Sequence, residues 1–210
     1  MTGFVNGQNK TVFTLKPMIG INACQIHGDN ASGYRKFGVN GGIGLNSRFN
    51  DMSSFEFAFL FTQKGARKNQ NPDKGDYTFY RVNLNYLEIP VYYQRYVNSK
   101  YFITLGGYAA YLLSYSEDTE IGNWNGVYPF NNFDFGVNVG LGRNIDEKIT
   151  IEVRSGNSFV PARNYGIRAN QVFFPNPVAR FFNQGLYNNI LSIFVVYKID
   201  AFKKKEIPNE

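Results

Sequence analysis

The chain has 210 residues and a mass of 23.9 kDa, the length of one domain. Hydrophobic residues make up 43%, aromatic residues 17% and charged residues only 18%, below the roughly 25% of ordinary soluble domains, which excludes intrinsic disorder. A single cysteine, Cys24, and a single histidine, His27, exclude an internal disulfide framework, a cysteine zinc cage and a histidine-rich metal site, and the net charge of +6 forms no basic stripe suited to nucleic acid.

Residues 1–10 read as a leader, Met1–Gly7 resembling the end of a signal peptide and Gln8 a first mature residue. From there the sequence alternates with period two. A first strand is expected over about Thr11–Ile26, with Phe13, Leu15, Ile19 and Ile21 opposing Lys16, Gly20 and Asn22. After an intermediate connection, His27–Gly33, the second strand is the cleanest: Phe37, Val39, Ile43 and Leu45 alternate with Gly38, Asn40, Gly42 and Gly44. A short turn, Arg48–Ser53, leads to Phe55–Phe61, with four Phe on one face and Glu56, Ala58 and Leu60 on the other. A long polar connection, Gly65–Asp76, precedes a fourth strand over Tyr77–Tyr96. Its apolar phase passes from Tyr80, Val82, Leu84, Tyr86 to Leu87, Ile89, Val91, Tyr93, which predicts a β-bulge near Tyr86–Leu87. Then follow a short turn, Val97–Ser99, a fifth strand, Lys100–Tyr115, and a long connection, Ser116–Asn131. The sixth strand, Phe133–Leu141, closely repeats the second. After the turn Asn144–Glu147 comes a seventh strand, Lys148–Ser155, then the longest connection, Gly156–Leu186, and an eighth strand, Tyr187–Ile199.

Eight strands with connections alternately short and long predict an all-β, eight-stranded antiparallel up-and-down transmembrane barrel, with short periplasmic turns and longer extracellular loops. The domain is expected to span residues 11–199, followed by a basic periplasmic tail, 200–210, with Lys203, Lys204 and Lys205. No run of 18 apolar residues exists, and a mean hydropathy of −0.32 is compatible with a barrel because its two faces average out. A soluble lipocalin-like ligand binder has the same strand count but the opposite sidedness. Here the polar face is also the small, glycine-rich one, as an eight-strand interior requires, so the apolar face points to lipid. Two aromatic girdles are expected, one at the short-turn end (Phe49, Phe55, Tyr92, Tyr93, Tyr96, Tyr101, Phe102) and one at the other (Phe61, Tyr77, Tyr80, Tyr111, Tyr115, Phe133).

The alternating Phe37–Leu45 segment, the stretch Tyr86-Leu-Glu-Ile-Pro90 and the strand Ile103-Thr-Leu-Gly-Gly-Tyr108 resemble the PorT-like family of bacterial outer-membrane β-barrels over about Thr14–Lys198. The resemblance implies an eight-strand barrel in a Gram-negative outer membrane and, for the family's named member, a part in type nine secretion.

Lys16, Glu56, Arg81, Glu88, Glu152 and Arg154 are expected to face inward as a paired charge network that fills the lumen, the alternative being a proton or ion relay. His27, Asp29, Asp118 and the loop serines could be read as the hydrolytic or acyl-transfer group of a barrel enzyme that modifies lipid A, the weaker alternative because nothing in the sequence brings nucleophile and base together and a lone His at a strand end is more often a hydrogen-bonded loop residue. The last long loop carries Arg163, Arg168, Phe173, Phe174, Arg180, Phe181 and Phe182, either to dock a partner or lipopolysaccharide phosphates or to fold over the barrel mouth. Glu117–Glu120 reads as a solvated loop and Cys24 as a small buried strand residue. No catalytic site, cofactor, metal or small-molecule substrate is expected. The expected partners are membrane lipid, lipopolysaccharide and other outer-membrane proteins, in a structural or accessory role.

Overall fold

A computed structural model describes residues 12–29, 33–164 and 185–200. Eight long strands carry the fold: β1 (Val12–His27), β2 (Lys36–Asn50), β3 (Ser53–Lys68), β4 (Tyr80–Tyr96), β5 (Tyr101–Thr119), β6 (Phe133–Asn144), β7 (Ile149–Ser158) and β8 (Gly185–Tyr197). Each pairs antiparallel with the next, and β1 pairs with β8 from Met18 opposite Val196 to His27 opposite Tyr187, which closes the barrel. No helix among the described residues is long and apolar enough to cross a membrane. Two-residue pieces, Gly122–Asn123, Arg163–Asn164 and Ile199–Asp200, extend the sheet at its margins.

Sidedness follows from the strand period. Phe37 is 71% exposed and Ile19 70%, whereas the alternating Lys16, Asn22, Glu56 and Asp134 are buried. Greasy side chains therefore face outward and hydrophilic ones fill the centre, the reverse of a water-soluble barrel. Polar fixtures hold the short turns: Asn50 Oδ1 accepts from Met52 N, Asn98 Oδ1 from Lys100 N and Tyr101 N, and Asp146 Oδ1 from Lys148 N and Ile149 N, all at 2.7–2.9 Å.

The extracellular third departs from the expected pattern. Val82, Leu84 and Tyr86 point inward and are fully buried, continuous with Glu88, Tyr92 and Gln94, so β4 keeps one phase throughout. The expected register shift exists, but its extra residue is Leu113 on β5, between Leu112 opposite Tyr86 and Ser114 opposite Asn85. Beyond that level the outer faces of β4 and β5 are polar: Asn85 Nδ2 donates to Ser114 Oγ at 3.0 Å and Asn83 Nδ2 to Ser116 Oγ at 2.9 Å. These strands rise above the hydrocarbon layer, where water bathes the outside and apolar residues turn in. The connection predicted from Gly65 to Asp76 is displaced along the chain to residues 69–79, because β3 continues to Lys68 and β4 begins only at Tyr80. Gly65 permits that continuation: its φ is +137°, and a Cβ there would lie 2.1 Å from the Val82 carbonyl oxygen.

The girdles are thinner than expected. At the periplasmic end Phe49 stacks on Phe55, which meets Tyr93 edge-on, and Tyr111 meets Phe133 at the other, with ring centroids 5.4–5.6 Å apart. Tyr92 and Phe102, however, are lumen residues, as are Tyr80 and Tyr115, which pack against the inner cluster. Glycines make the room: a Cβ on Gly142 would sit 2.0 Å from the Phe102 ring.

Candidate functional site: the lumen and its mouth

Interior side chains form three tiers. In the lowest, Lys16 Nζ lies 2.5 Å from Glu56 Oε2 and 3.6 Å from Glu152 Oε1, while Arg154 Nη2 lies 2.9 Å from Glu56 Oε1 and 2.5 Å from Glu152 Oε2. Two cations and two carboxylates from β1, β3 and β7 thus neutralise one another across the lumen. Gln94 Nε2 donates to Glu56 Oε2 at 3.2 Å, and the Arg154 guanidinium lies over the rings of Tyr92 and Phe194 at 4.4 and 4.8 Å.

Above it, Lys64 Nζ lies 2.9 Å from Glu88 Oε2 and 3.0 Å from Asp134 Oδ2, and 4.0 Å from the centre of the Tyr108 ring. Asn188 Nδ2 also donates to Asp134 Oδ2 at 3.0 Å. Between the two clusters, the cavity lined by Asn40, Thr62, Glu88, Tyr92, Asn138 and Arg154 has a volume of about 10 Å³, room for one water.

The top tier is apolar: Ile26, Val82, Leu84, Leu112, Phe130 and Leu186 pack into one buried cluster. A polar clasp closes it. Arg163 Nη1 and Nη2 donate to Glu117 Oε1 and Oε2 at 2.9 and 2.5 Å, and the guanidinium stacks on Phe130 at 3.7 Å. Asn131 Nδ2 donates to Pro161 O at 2.8 Å and Ala162 N to Leu186 O at 2.6 Å, so the root of the last loop lies across the mouth. Outside this seal is a vestibule of about 420 Å³ lined by Asp29, Lys68, Thr78, Tyr80, Glu117 and Glu120.

Five of the six residues read from sequence as lumen charges, Lys16, Glu56, Glu88, Glu152 and Arg154, lie in these clusters. Arg81 does not. It stands on the outer face opposite Arg67, because β4 does not change phase. Lys64 was not among the residues singled out, since Gly65 after it signals a loop; the alternation Ala58, Leu60, Thr62, Lys64 would have placed it inward. Glu117 is a clasp residue, not part of a solvated loop, and Arg163 is turned onto it instead of outward. Arg168, Phe173, Phe174, Arg180, Phe181, Phe182 and Lys203–Lys205 lie outside the described residues. Cys24 is fully buried. His27 is hydrogen-bonded through Nε2 to Asn189 at 3.0 Å, and Asp118 accepts from Asn123 at 3.2 Å; among the described residues no hydrogen bond joins them.

In the β3–β4 loop, the Thr78 hydroxyl (2.5 Å) and backbone N–H (3.0 Å) donate to Asp76 Oδ1 and Lys68 Nζ lies 3.0 Å from Oδ2, which lowers the Asp76 carboxyl to about 2. The folded value lies below the unfolded one of roughly 3.9, so this contribution is complete above that pH and is lost as pH falls through 2. A carboxyl-carbon NMR titration should show Asp76 still ionised at about pH 3, where unrestrained aspartates are largely protonated.

A closed antiparallel barrel with an apolar outer wall and a charge-paired interior defines an outer-membrane β-barrel. The sequence matches the family described as "Outer membrane protein beta-barrel domain" over residues 6–161, and the chain belongs to that family, in the bacterial outer membrane. Among solved structures it is similar to Ail, the attachment invasion locus protein of Yersinia pestis, in complex with the heparin analogue sucrose octasulfate (11% identity, TM-score 0.50, 90% of this chain and 99% of that one). A second Ail structure gives 10% identity and a TM-score of 0.51 over 89% of this chain and 98% of that one. Neisserial surface protein A gives 14% identity and a TM-score of 0.51 over 89% and 97%. At these identities the likeness is one of fold. No curated protein matches the sequence.

Proposed function

We propose that this barrel is a non-enzymatic, non-conducting structural or accessory subunit of a larger outer-membrane complex, its contacts made from the outer wall, the last long loop and the tail. The observation that carries this reading is the filled lumen: two ion clusters and an apolar tier occupy the space a solute would need. With no path through the barrel, what it does is done from outside. The lumen charges then serve to hold strand register, since each is paired by a residue from another strand or across the barrel. The resemblance of Tyr86–Pro90 and Ile103–Tyr108 to PorT-like barrels supports a place in secretion or assembly machinery, type nine secretion in particular. The proposed division is residues 11–199 as barrel and 200–210 as periplasmic tail, with Arg168, Arg180 and the nearby phenylalanines as partner or lipopolysaccharide contacts. In planar bilayers the purified protein is expected to give no conductance steps. Extraction in mild detergent from its native membrane, followed by mass spectrometry, should recover a partner in fixed stoichiometry. Stepwise conductance, or a monomer under all mild extractions, would overturn the proposal.

A further inference from the structure

Arg67 on β3 and Arg81 on β4 are cross-strand partners on the outer face, their neighbours Ala66 and Val82 being turned inward and buried. Direct opposition holds the two Cβ atoms about 5 Å apart, and like charges so placed destabilise a sheet. Neither arginine has an ion pair among the described residues. Arg67 Nε donates to Asn69 Oδ1 at 2.8 Å, and the Arg81 guanidinium lies 5.9 Å from the Phe79 ring centre. Asp118 stands opposite Arg81 on the other side, on β5, but accepts from Asn123 Nδ2 at 3.2 Å and forms no ion pair with the arginine. Lys36, on the buried phase of β2 opposite Cys24, donates its ammonium to Phe37 O at 2.8 Å.

Height on the barrel narrows the ligand. Arg67 is six residues beyond Phe61, the last phenylalanine on the outer face of β3, and Arg81 six beyond Leu87 on β4. At about 3.4 Å per residue and a strand tilt of about 40°, the pair stands roughly 15 Å above those belt residues. That is outside the hydrocarbon, in the layer of sugars and phosphates carried by the glycolipid of the outer leaflet. The polar Asn83–Ser116 and Asn85–Ser114 pairs just below agree with that depth.

We propose that Arg67 and Arg81 together bind a phosphate of the outer-leaflet glycolipid. Two guanidinium forks on adjacent strands match phosphate oxygens, and a dianion between them turns a repulsive pair into a bridged one. The site is separate from the sealed lumen and does not depend on the accessory role.

The test uses the refolded full chain in detergent, titrated with purified lipopolysaccharide, with the same material dephosphorylated, and with inorganic phosphate, each read as a thermal shift. Phosphorylated lipopolysaccharide should raise the melting temperature and the dephosphorylated form should not; inorganic phosphate should act in the same direction but more weakly. Arg81→Gln should weaken the glycolipid effect by about tenfold or more, yet melt higher than the native protein in anion-free detergent, because the repulsion is gone. Arg81→Lys keeps the charge without the fork, and should lose affinity without that gain. The proposal is overturned if dephosphorylated glycolipid protects equally, or if inorganic phosphate binds as tightly as the glycolipid. It is overturned equally if Arg81→Gln melts lower in anion-free detergent.

Discussion

Arg154→Met should destabilise the barrel by about 3–5 kcal/mol, measured by urea unfolding of the protein in detergent or lipid. The guanidinium faces both Glu56 and Glu152, and Lys16 alone cannot balance two carboxylates. What is lost is less the attraction of the pair than the solvation that a buried carboxylate gave up on folding, which only a partner offsets. A control follows from the same physics. Replacing all four members together, Lys16→Met, Glu56→Leu, Glu152→Leu and Arg154→Met, leaves no orphan charge and should cost far less than the single change. If the single and quadruple variants unfold alike, the cluster acts through volume and not charge. Arg154→Lys should fall between them, since a lysine cannot reach both carboxylates with a planar fork.

Where one face of a strand meets lipid and the other meets the lumen, the sequence displayed the fold openly. Phe55, Phe57, Phe59 and Phe61 against Glu56, Ala58 and Leu60 permit one sidedness only, and the same holds for Phe37–Leu45 and Phe133–Leu141. The signal failed where the solvents change places. Above Tyr86 the barrel stands in water, so Val82 and Leu84 are buried inside while Arg81, Asn83 and Asn85 lie outside. The apparent phase switch in β4 therefore marks the edge of the membrane and not an irregular backbone. The true irregularity, at Leu113, had no sequence signature, because Leu112 and Leu113 are alike and either could face the lumen. Arg81 was misplaced for this reason, and so were Tyr80 and Tyr115.

Lys64 and Glu117 escaped for a different reason. Turn-forming residues beside a charge suggest a solvated loop, and only the partners, Asp134 about 70 residues away and Arg163 about 46, reveal that each charge is buried and paired. Sequence alternation reports which face a residue is on. It does not report which distant strand supplies the counter-charge, and in a closed barrel that decides how the lumen is filled.

The clasp at the mouth gives the second large effect. Arg163→Ala should cost about 3–5 kcal/mol, and the loss should concentrate at the extracellular end. Glu117 is almost wholly buried, and both its oxygens accept from Arg163, so removing the guanidinium strands a carboxylate above an apolar tier. The same change uncovers Phe130, whose ring the guanidinium covers at 3.7 Å. Hydrogen exchange should therefore quicken at Ala162, whose amide donates to Leu186 O and fastens the loop root, while amides of the lower tier around Glu56 and Arg154 keep their protection. Limited proteolysis after residue 158 should accelerate in step. A double-mutant cycle with Glu117→Gln isolates the pair: the double variant should be less damaged than the sum of the two single ones, by about 1–3 kcal/mol. Independent, additive losses would mean that Arg163 is held by something other than Glu117, and that the mouth is closed by packing alone.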